Sequence, residues 1–298
     1  MIDKLEMFIA VAREGHFGRA ATSLGITQPT LSSGIKHLEE QLGVTLILRG
    51  SRFGGLTPEG KRALHWAQRI AADARQLCDE MHGTGVELTG QIRLAVIPSA
   101  LTWAARLAAQ MRKHHPNVRF TILSRTSTEI LTMMDAHEID ASLTYIDTEP
   151  LGDVVTQALY TETPVALTRA DTALATRASM TWADFEGQPM CLLTPDMQNR
   201  RIINGHLQEA GVTPDVRLDA NSTVVLARMV QETGWVTVLS RDLAEFLSSG
   251  NDLRIIPIAA EHEGGAAGPT VGLTAPHRAS QTPTLTALMA AAAQLSGP

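Results

Sequence analysis

The sequence lacks the features that mark several classes of protein. Its 298 residues include two cysteines, Cys78 and Cys191, whose separation fits neither a disulfide framework nor a zinc site. We therefore expect reduced thiols, as in a cytosolic protein. No apolar run approaches the ~18 residues that a membrane span needs. The first residues, MIDKLEMF, lack the basic and apolar regions of a secretory signal, so we expect a cytoplasmic protein.

The signatures of common enzyme classes are also missing. The chain has no nucleotide-binding GxGxxG, no phosphate-binding loop, no HExxH and no GxSxG. Cys191 falls within a predicted buried strand, where a cysteine acts as a small apolar side chain rather than as a nucleophile. The sequence therefore predicts no catalytic residue, no cofactor and no metal site.

An excess of positive charge is absent too. The chain has 25 Lys and Arg against 31 Asp and Glu, a formal net charge of −6, which excludes a binder of nucleic acid that is basic throughout. Residues 1–88 carry ten charges of each sign, so the acidic excess lies in residues 89–298. A local surface for nucleic acid in the neutral N-terminal part stays compatible with this charge. The length suggests about two domains and room for a short extra module.

Three helices are predicted at the N-terminus. The first begins with a capping box at Asp3 and Glu6 and ends at Gly15. Its apolar residues recur at helical spacing: Leu5, Phe8, Ile9 and Ala12. A second helix closes at Gly25 and contains the apolar residues Phe17, Ala21 and Leu24.

The third helix follows a turn of three residues. Thr27 is its predicted N-cap, and Pro29 stands in the first turn, where a missing N–H costs nothing. One buried stripe is predicted along it: Leu31, Ile35, Leu38 and Leu42. Two short helices joined in this way match a helix-turn-helix unit, whose second helix can reach base edges and phosphates. The alternative is an ordinary helical hairpin with a solvated polar face.

A hairpin is predicted after the third helix. Val44 to Leu48 has the pattern of a strand, and Gly54 and Gly55 supply turn residues. Arg49 and Arg52 flank the turn, as a hairpin lying over a phosphate backbone requires. Thr57 and Pro58 then open another helix as N-cap and first helical residue.

Together these residues resemble the winged helix-turn-helix of LysR-type transcriptional regulators. The resemblance covers residues 1–60 and rests on FIAVAREGHFGRAATSLGITQPTLSSGIKHLEEQLGVTLILR and the closing LTPEG. It departs from many members at Gly34 and at Ile47 and Leu48. The family implies a DNA-binding surface formed by Thr27, Gln28, Pro29, Thr30, Ser32, Ser33 and Lys36, with Arg49 and Arg52 in the wing.

A long helix is predicted from Pro58 to about His82, within a linker assigned to residues 61–88. Its apolar residues follow a heptad seam: Ala63, Ala67, Ile70, Ala74, Leu77 and Met81. Such a seam fits either a coiled coil or a single helix docked on its own domain. The resemblance favours pairing between subunits, as a dimer or a dimer of dimers.

Residues 89–298 alternate predicted strands and helices, which indicates an α/β domain with parallel strands. The order recurs, so two lobes are expected, one at about 91–162 and 270–298 and one at 163–269. Segments starting at Pro164 and Pro269 are assigned as the crossovers between them. The arrangement is similar to the two-lobed, periplasmic-binding-protein-like effector domain of LysR-type regulators.

Ligands of open parallel sheets bind beyond the carboxyl ends of the strands, at helix N-termini. Small hydroxyl groups and arginine there suit a small anion or carboxylate. The candidate effector-binding residues are Ser99, Thr102, Thr126, Ser127, Thr128, Tyr145, Thr194, Gln198, Asn199, Arg200, Asn221 and Ser222. The stretches LLTPDMQNRR, FTILSRTS and EPLG are similar to a LysR subgroup linked to formate dehydrogenase operons, which implies formate as effector.

The sequence thus predicts a LysR-type regulator that binds promoter DNA and senses a small, anionic metabolite to control a metabolic operon, with RNA polymerase as a further partner. A solute-binding protein shares the two-lobed shape but would carry an export signal and no DNA-binding part. A regulator that responds to redox state through Cys78 or Cys191 is the alternative within the same family. A disulfide between the two would need a large rearrangement.

Overall fold

The computed structural model describes residues 1–48, 53–82, 88–148, 150–250, 252–259, 268–277 and 281–296. The chain forms two compact units. The first consists of Met1–Gly90 with Met133–Ile139, and the second of Gln91–Thr132 with Asp140–Pro298.

Four helices build the first unit: α1 (Ile2–Glu14), α2 (Phe17–Ser23), α3 (Gln28–Leu42) and α4 (Pro58–His82). Two predicted N-caps are confirmed, since the hydroxyl of Thr27 accepts the Thr30 N–H and that of Thr57 accepts the Gly60 N–H. Helix α1 ends at Gly15, whose φ of 58° lies in the left-handed region. Residues with a side chain rarely adopt this conformation, which is why glycine is common at helix ends.

An apolar core fixes the position of α3 in the first unit. Its largest fully buried side chains come from two helices and the segment after α3: Phe8, Leu31, Leu38 and Leu46. Burying each one stabilises the fold by roughly 1.5–3 kcal/mol. Because this core holds one side of α3, the opposite side faces solvent.

Several local predictions for this unit are wrong. Helix α1 begins at Ile2, so Asp3 lies in the first turn, where it favours the helix dipole but does not cap. Leu24 and Leu42 are exposed, at 37% and 44%, because each stands at a helix end beyond the core.

The predicted strand before the wing is reduced to one antiparallel bridge between Ile47 and Leu56. A side chain adds to the hydrogen bonds of this bridge. The Glu39 carboxylate accepts the backbone N–H of Leu46 at 2.7 Å and that of Ile47 at 3.3 Å. The end of α3 therefore holds the start of the wing.

Helix α4 has the predicted extent, but its seam divides into two surfaces. Ala67 is buried in the core of the first unit and Ala63 is partly buried there. On the other surface the larger side chains are exposed by 42–59%: Trp66, Ile70, Leu77 and Met81. The small residues therefore dock the helix on its own unit, and an exposed apolar surface remains.

The second unit contains a five-stranded sheet in the order β2-β1-β3-β10-β4. Its strands are β1 (Gly90–Val96), β2 (Val118–Ser124), β3 (Ala141–Tyr145), β4 (Val154–Thr161) and β10 (Thr270–Pro276). The helices of this lobe are α5 (Leu101–His114), α6 (Ser127–Asp135) and α10 (Pro283–Leu295). Strands β1 and β3 are parallel, as predicted, whereas β10 runs antiparallel to both of its neighbours.

A second lobe is built from β5 (Pro164–Arg169), β6 (Pro189–Leu193), β7 (Asp215–Ala220), β8 (Thr237–Ser240) and β9 (Leu253–Pro257). Its helices are α7 (Gln198–Glu209), α8 (Thr223–Thr233) and α9 (Arg241–Ser248). Strand β5 pairs antiparallel with β8 and β9, and β6 pairs parallel with β7.

The two segments assigned as crossovers are therefore central strands, β5 and β10. The predicted fully parallel order is wrong at these strands, because the chain enters each of them while passing from one lobe to the other and runs against its neighbours. The two segments that connect the lobes contact each other where the Glu162 N–H donates to the Pro269 oxygen at 2.9 Å.

Candidate nucleic-acid interface and ligand cleft

The exposed side of α3 is polar. All seven candidate residues at its start and along it are exposed: Thr27, Gln28, Pro29, Thr30, Ser32, Ser33 and Lys36. Their hydroxyl, amide and ammonium groups can bind phosphate oxygens and base edges. The other two candidates, Arg49 and Arg52, lie outside the described residues.

The N-terminus of α3 is capped by its own side chains. The hydroxyl groups of Thr27 and Thr30 are hydrogen bonded at 2.8 Å, and Pro29 occupies the first turn. The Lys36 ammonium lies 3.7 Å from a Glu40 carboxylate oxygen, and both side chains are more than half exposed. An exposed pair of this kind is weak, so Lys36 is available to a phosphate.

Packing explains the glycine at position 34, where the sequence departs from the family pattern. A Cβ at this position would lie 2.3 Å from the Met7 sulfur of α1. The bulky Met7 thus fills the space that a side chain of α3 would need, and the exposed residues of α3 are unaffected.

A narrow cleft, with an enclosed volume of about 10 Å³, lies between the two lobes of the second unit. Six of the twelve candidate effector residues line it: Ser99, Thr126, Ser127, Tyr145, Gln198 and Asn199. They follow β1, β2 and β3 of one lobe and β6 of the other, so the expected convergence of strand ends on one cleft is present. Apolar groups complete the lining: Ile97, Pro98, Leu193 and Met197.

Two helices begin at this cleft. Thr126 forms a reciprocal cap at the start of α6, because its hydroxyl accepts the Glu129 N–H at 3.1 Å and its own N–H donates to Glu129 at 2.8 Å. Gln198 and Asn199 are the first residues of α7. Free N–H groups at helix N-termini favour an acceptor or a negative charge on a ligand.

The cleft is underlain by a buried acid that the sequence did not single out. Glu162 is 4% exposed, and its Oε2 accepts the Tyr145 hydroxyl at 2.5 Å. Burial raises the pKa of Glu162, while hydrogen bonding by Tyr145, Ser99 and Asn199 lowers it. Burial and the nearby Glu162 also raise the pKa of Tyr145. The one available sequence signal was a charged residue at the predicted end of the first lobe.

Arg200 was predicted to bind the effector but does not line the cleft. Its guanidinium donates to the Leu193 backbone oxygen at 2.6 Å, to Asn204 at 2.9 Å and to Asp219. Adjacent helical residues project about 100° apart, so Asn199 lies at the cleft while Arg200 is directed into its own lobe. Arg200 therefore holds α7 on the ends of β6 and β7.

The remaining five candidates also lie away from the lining. Thr102 donates to Asp242, which also pairs with Arg106 at 2.7 Å, so it connects α5 of one lobe to α9 of the other. Thr128 and Asn221 are exposed. Ser222 precedes α8 without a side-chain cap, and the Thr194 N–H donates to Ala220 between β6 and β7.

Neither Cys78, exposed on α4, nor Cys191, buried in β6, forms a disulfide within the described residues. Burial raises the pKa of the Cys191 thiol to about 11, which disfavours the reactive thiolate. Over the described ranges, none of the helices is both long and apolar enough to cross a bilayer.

Comparison with known proteins gives a family match for each of the two parts of the chain. The bacterial regulatory helix-turn-helix protein, lysR family, matches residues 2–61, and the LysR substrate binding domain matches residues 85–296. The uncharacterized regulator YfeR of Shigella flexneri is 27% identical over 86% of this chain and 84% of its own length. The transcriptional regulator XapR of Escherichia coli is 27% identical over 81% of this chain and 82% of its own length.

Solved structures share the fold at lower identity. A full-length OxyR variant from Pseudomonas aeruginosa has a TM-score of 0.70 and 22% identity, covering 98% of this chain and 94% of that one. CbnR in complex with its target DNA has a TM-score of 0.68 and 17% identity, covering 99% of each chain. The chain belongs to the LysR family of DNA-binding transcriptional regulators, with a helix-turn-helix part and an effector-binding domain.

Proposed function

We propose that this regulator binds an operator through α3 and the wing and senses a small polar metabolite in the cleft between its lobes. The observation that carries the proposal is the convergence of six predicted side chains from both lobes on one cavity, in a chain that also presents the polar side of α3. In this proposal the protein acts in the cytoplasm and controls a metabolic operon together with RNA polymerase.

The DNA-binding part of the proposal depends on pairing of subunits. A helix-turn-helix dimer places two recognition helices on successive major grooves, so its operator is an imperfect palindrome. The exposed apolar surface of α4 provides a pairing surface, formed by Trp66, Ile70, Leu77 and Met81. A dimer, or a dimer of dimers, follows from this arrangement.

The sensing part depends on the two lobes. A ligand that contacts residues of both lobes changes the equilibrium between their arrangements only through different affinities for them. The cleft is narrow, with an enclosed volume of about 10 Å³, roughly that of one water molecule, so the metabolite is small. The resemblance to the formate dehydrogenase subgroup makes formate the first candidate and that operon the first target.

A mobility-shift titration on the promoter region of its own gene tests the first part. Lys36→Ala should weaken binding to every duplex and lower the slope of affinity against salt by about one. Lys113→Ala makes the same charge change on an exposed part of α5 and should leave the slope unaltered. Equal binding of the wild-type protein to the promoter and to random duplex would refute the assignment of a specific operator.

A titration of small carboxylates tests the second part. Formate and larger anions are added while the melting temperature and the operator affinity are measured together. A ligand that acts as effector must shift both quantities. A ligand that binds equally well to protein with Ser127→Phe, which fills the cleft, would place the sensing site elsewhere.

A further inference from the structure

We propose that the cleft selects an effector that carries a hydrogen-bond donor, a hydroxyl or ammonium group, next to a carboxylate. The donor would bind the Asn199 amide oxygen, and the carboxylate would lie at the N-termini of α6 and α7. Glu162 is the positioning residue that makes this side of the cleft an acceptor surface. The inference rests on the proposed function, since it takes the cleft to be the effector site.

The first step is the direction of the Tyr145 hydroxyl. Tyr145 Oη donates to Glu162 Oε2 at 2.5 Å. Tyr145 has a single hydroxyl proton, and this hydrogen bond uses it. What Tyr145 presents toward its other neighbours is therefore an oxygen that accepts.

The second step is the orientation of the Asn199 amide. Its Nδ2 lies 3.4 Å from Tyr145 Oη, to which it can donate because that oxygen accepts. This places the amide oxygen on the other side, and Asn199 Oδ1 is buried without a hydrogen-bond partner among the described residues. Unpaired buried acceptors are costly, and a donor on a ligand relieves that cost.

The third step is the absence of a cation at the cleft. The ten described lining residues include no Lys, Arg or His. Arg200 is held by Leu193 and Asp219, and the Arg201 guanidinium donates to Gln198 Oε1 and the Asp196 oxygen. An anion that only accepts, such as formate, would meet the helix N-termini but leave Asn199 Oδ1 unpaired beside a buried carboxylate. The structure thus favours a hydroxy or amino acid over the simple anion that the sequence suggests.

Three probes of similar size, all of them carboxylates, isolate the effect of the hydrogen-bond donor on affinity. Propionate, glycolate and glycine differ only in a methyl, hydroxyl or ammonium group, and longer homologues extend each series. We expect calorimetric titration of the full chain to show at least tenfold tighter binding of a hydroxy or amino compound than of its deoxy isostere. Equal or tighter binding of the deoxy isosteres, or no binding by any probe at millimolar concentration, would overturn the inference.

Substitutions test whether Asn199 and Glu162 cause the preference for ligands that carry a donor. Asn199→Leu and Glu162→Gln should each bring the ratio of affinities close to one, whereas Asn199→Asp keeps an acceptor and should retain the preference. Gln208→Ala removes an exposed amide from the same helix and should leave the ratio unchanged. Circular dichroism and a cooperative thermal transition of each full-length variant show that the second unit is folded.

The outcomes also separate this inference from the proposed function. Loss of all binding in Ser127→Phe, with no preference for donors in the wild-type protein, would remove the inference and leave the cleft as the sensing site. Binding that persists in Ser127→Phe would remove both.

Discussion

Gly60 lies against the backbone of Leu46, so that a Cβ on Gly60 would stand 2.0 Å from the Leu46 carbonyl oxygen. The same oxygen accepts the Thr57 N–H at 3.0 Å. The start of α4 and the segment before the wing are therefore fixed to each other through backbone groups, which cannot move aside as a flexible side chain can.

Gly60→Ala should destabilise the DNA-binding unit. Overpacking of this kind costs typically 1–3 kcal/mol, and the displaced wing should also weaken operator binding. Thermal unfolding and mobility shift measure the two effects. Gly205→Ala in α7 is the matched control, because no atom lies within 4 Å of its added Cβ and alanine gains up to about 1 kcal/mol in a helix. A Gly60→Ala protein as stable as the control would show that this contact is not tight.

Glu162 predicts a specific dependence of stability on pH. Burial raises the pKa of this carboxyl in the folded protein, so the folded state holds its proton more tightly than the unfolded chain. The contribution of Glu162 to stability is therefore complete below the unfolded pKa and is lost as the pH rises through the folded pKa. Glu162→Gln cannot lose a proton, and its melting temperature should rise relative to wild type over that range. If the difference in melting temperature between Glu162→Gln and the wild-type protein does not vary with pH, Glu162 is not the source of this pH dependence.

Arg200→Ala should act on stability rather than on ligand selection. The change removes hydrogen bonds to Leu193 and Asp219, and a hydrogen bond to a charged group contributes about 1.5–3 kcal/mol. Arg228→Ala, which breaks an exposed pair with Glu232, should cost less than about 1 kcal/mol. Urea unfolding with ligand titration separates the two roles. An unchanged stability together with lost ligand binding would return Arg200 to the effector site.

Cys191 should be unreactive in the folded protein. Because burial raises the pKa of its thiol to about 11, almost no thiolate exists at neutral pH. In a Cys78→Ser protein, a thiol reagent should modify Cys191 slowly before unfolding and rapidly after it, and peroxide should leave operator binding unaltered. Rapid modification of the folded variant would revive a redox-responsive regulator; Cys191→Ala controls for reaction at other groups.

The exposed side of α4 predicts how the subunits pair. Leu77→Asp places a charge among Ile70 and Met81 and should shift the protein toward monomers in analytical ultracentrifugation, with weaker operator binding. The surface change Lys61→Asp, nearer the start of the helix, should not alter the oligomeric state. Unchanged association of Leu77→Asp would place the pairing surface elsewhere.

Features set by neighbouring residues were predictable from the sequence. The caps at Thr27 and Thr57 and the extent of α4 depend on groups within a few positions, so the local pattern identifies them. The strand ends that supply Ser99, Tyr145 and Asn199 were also found, because strand and helix periods are local signals.

Features set by distant residues were not. Strands β5 and β10 owe their direction to partners far along the chain, so their sequences alone were assigned as crossovers. Glu162 is buried because β4 pairs with β10 and brings it against Tyr145. Arg200 lies away from the cleft lining, which the sequence could not show, because a polar residue at a helix start does not reveal which way its side chain points.

The meeting of the two interlobe passages at Glu162 gives the second unit a pivot. The Glu162 N–H bonds to Pro269, and Gly268 lies so close that its Cβ would stand 1.9 Å from the Glu162 oxygen. Any turning of one lobe on the other must leave this junction nearly stationary, while surfaces far from it sweep through larger arcs. The proposed effector would bind beside Tyr145, close to this junction, so a small displacement there would correspond to a larger displacement at the far ends of the lobes.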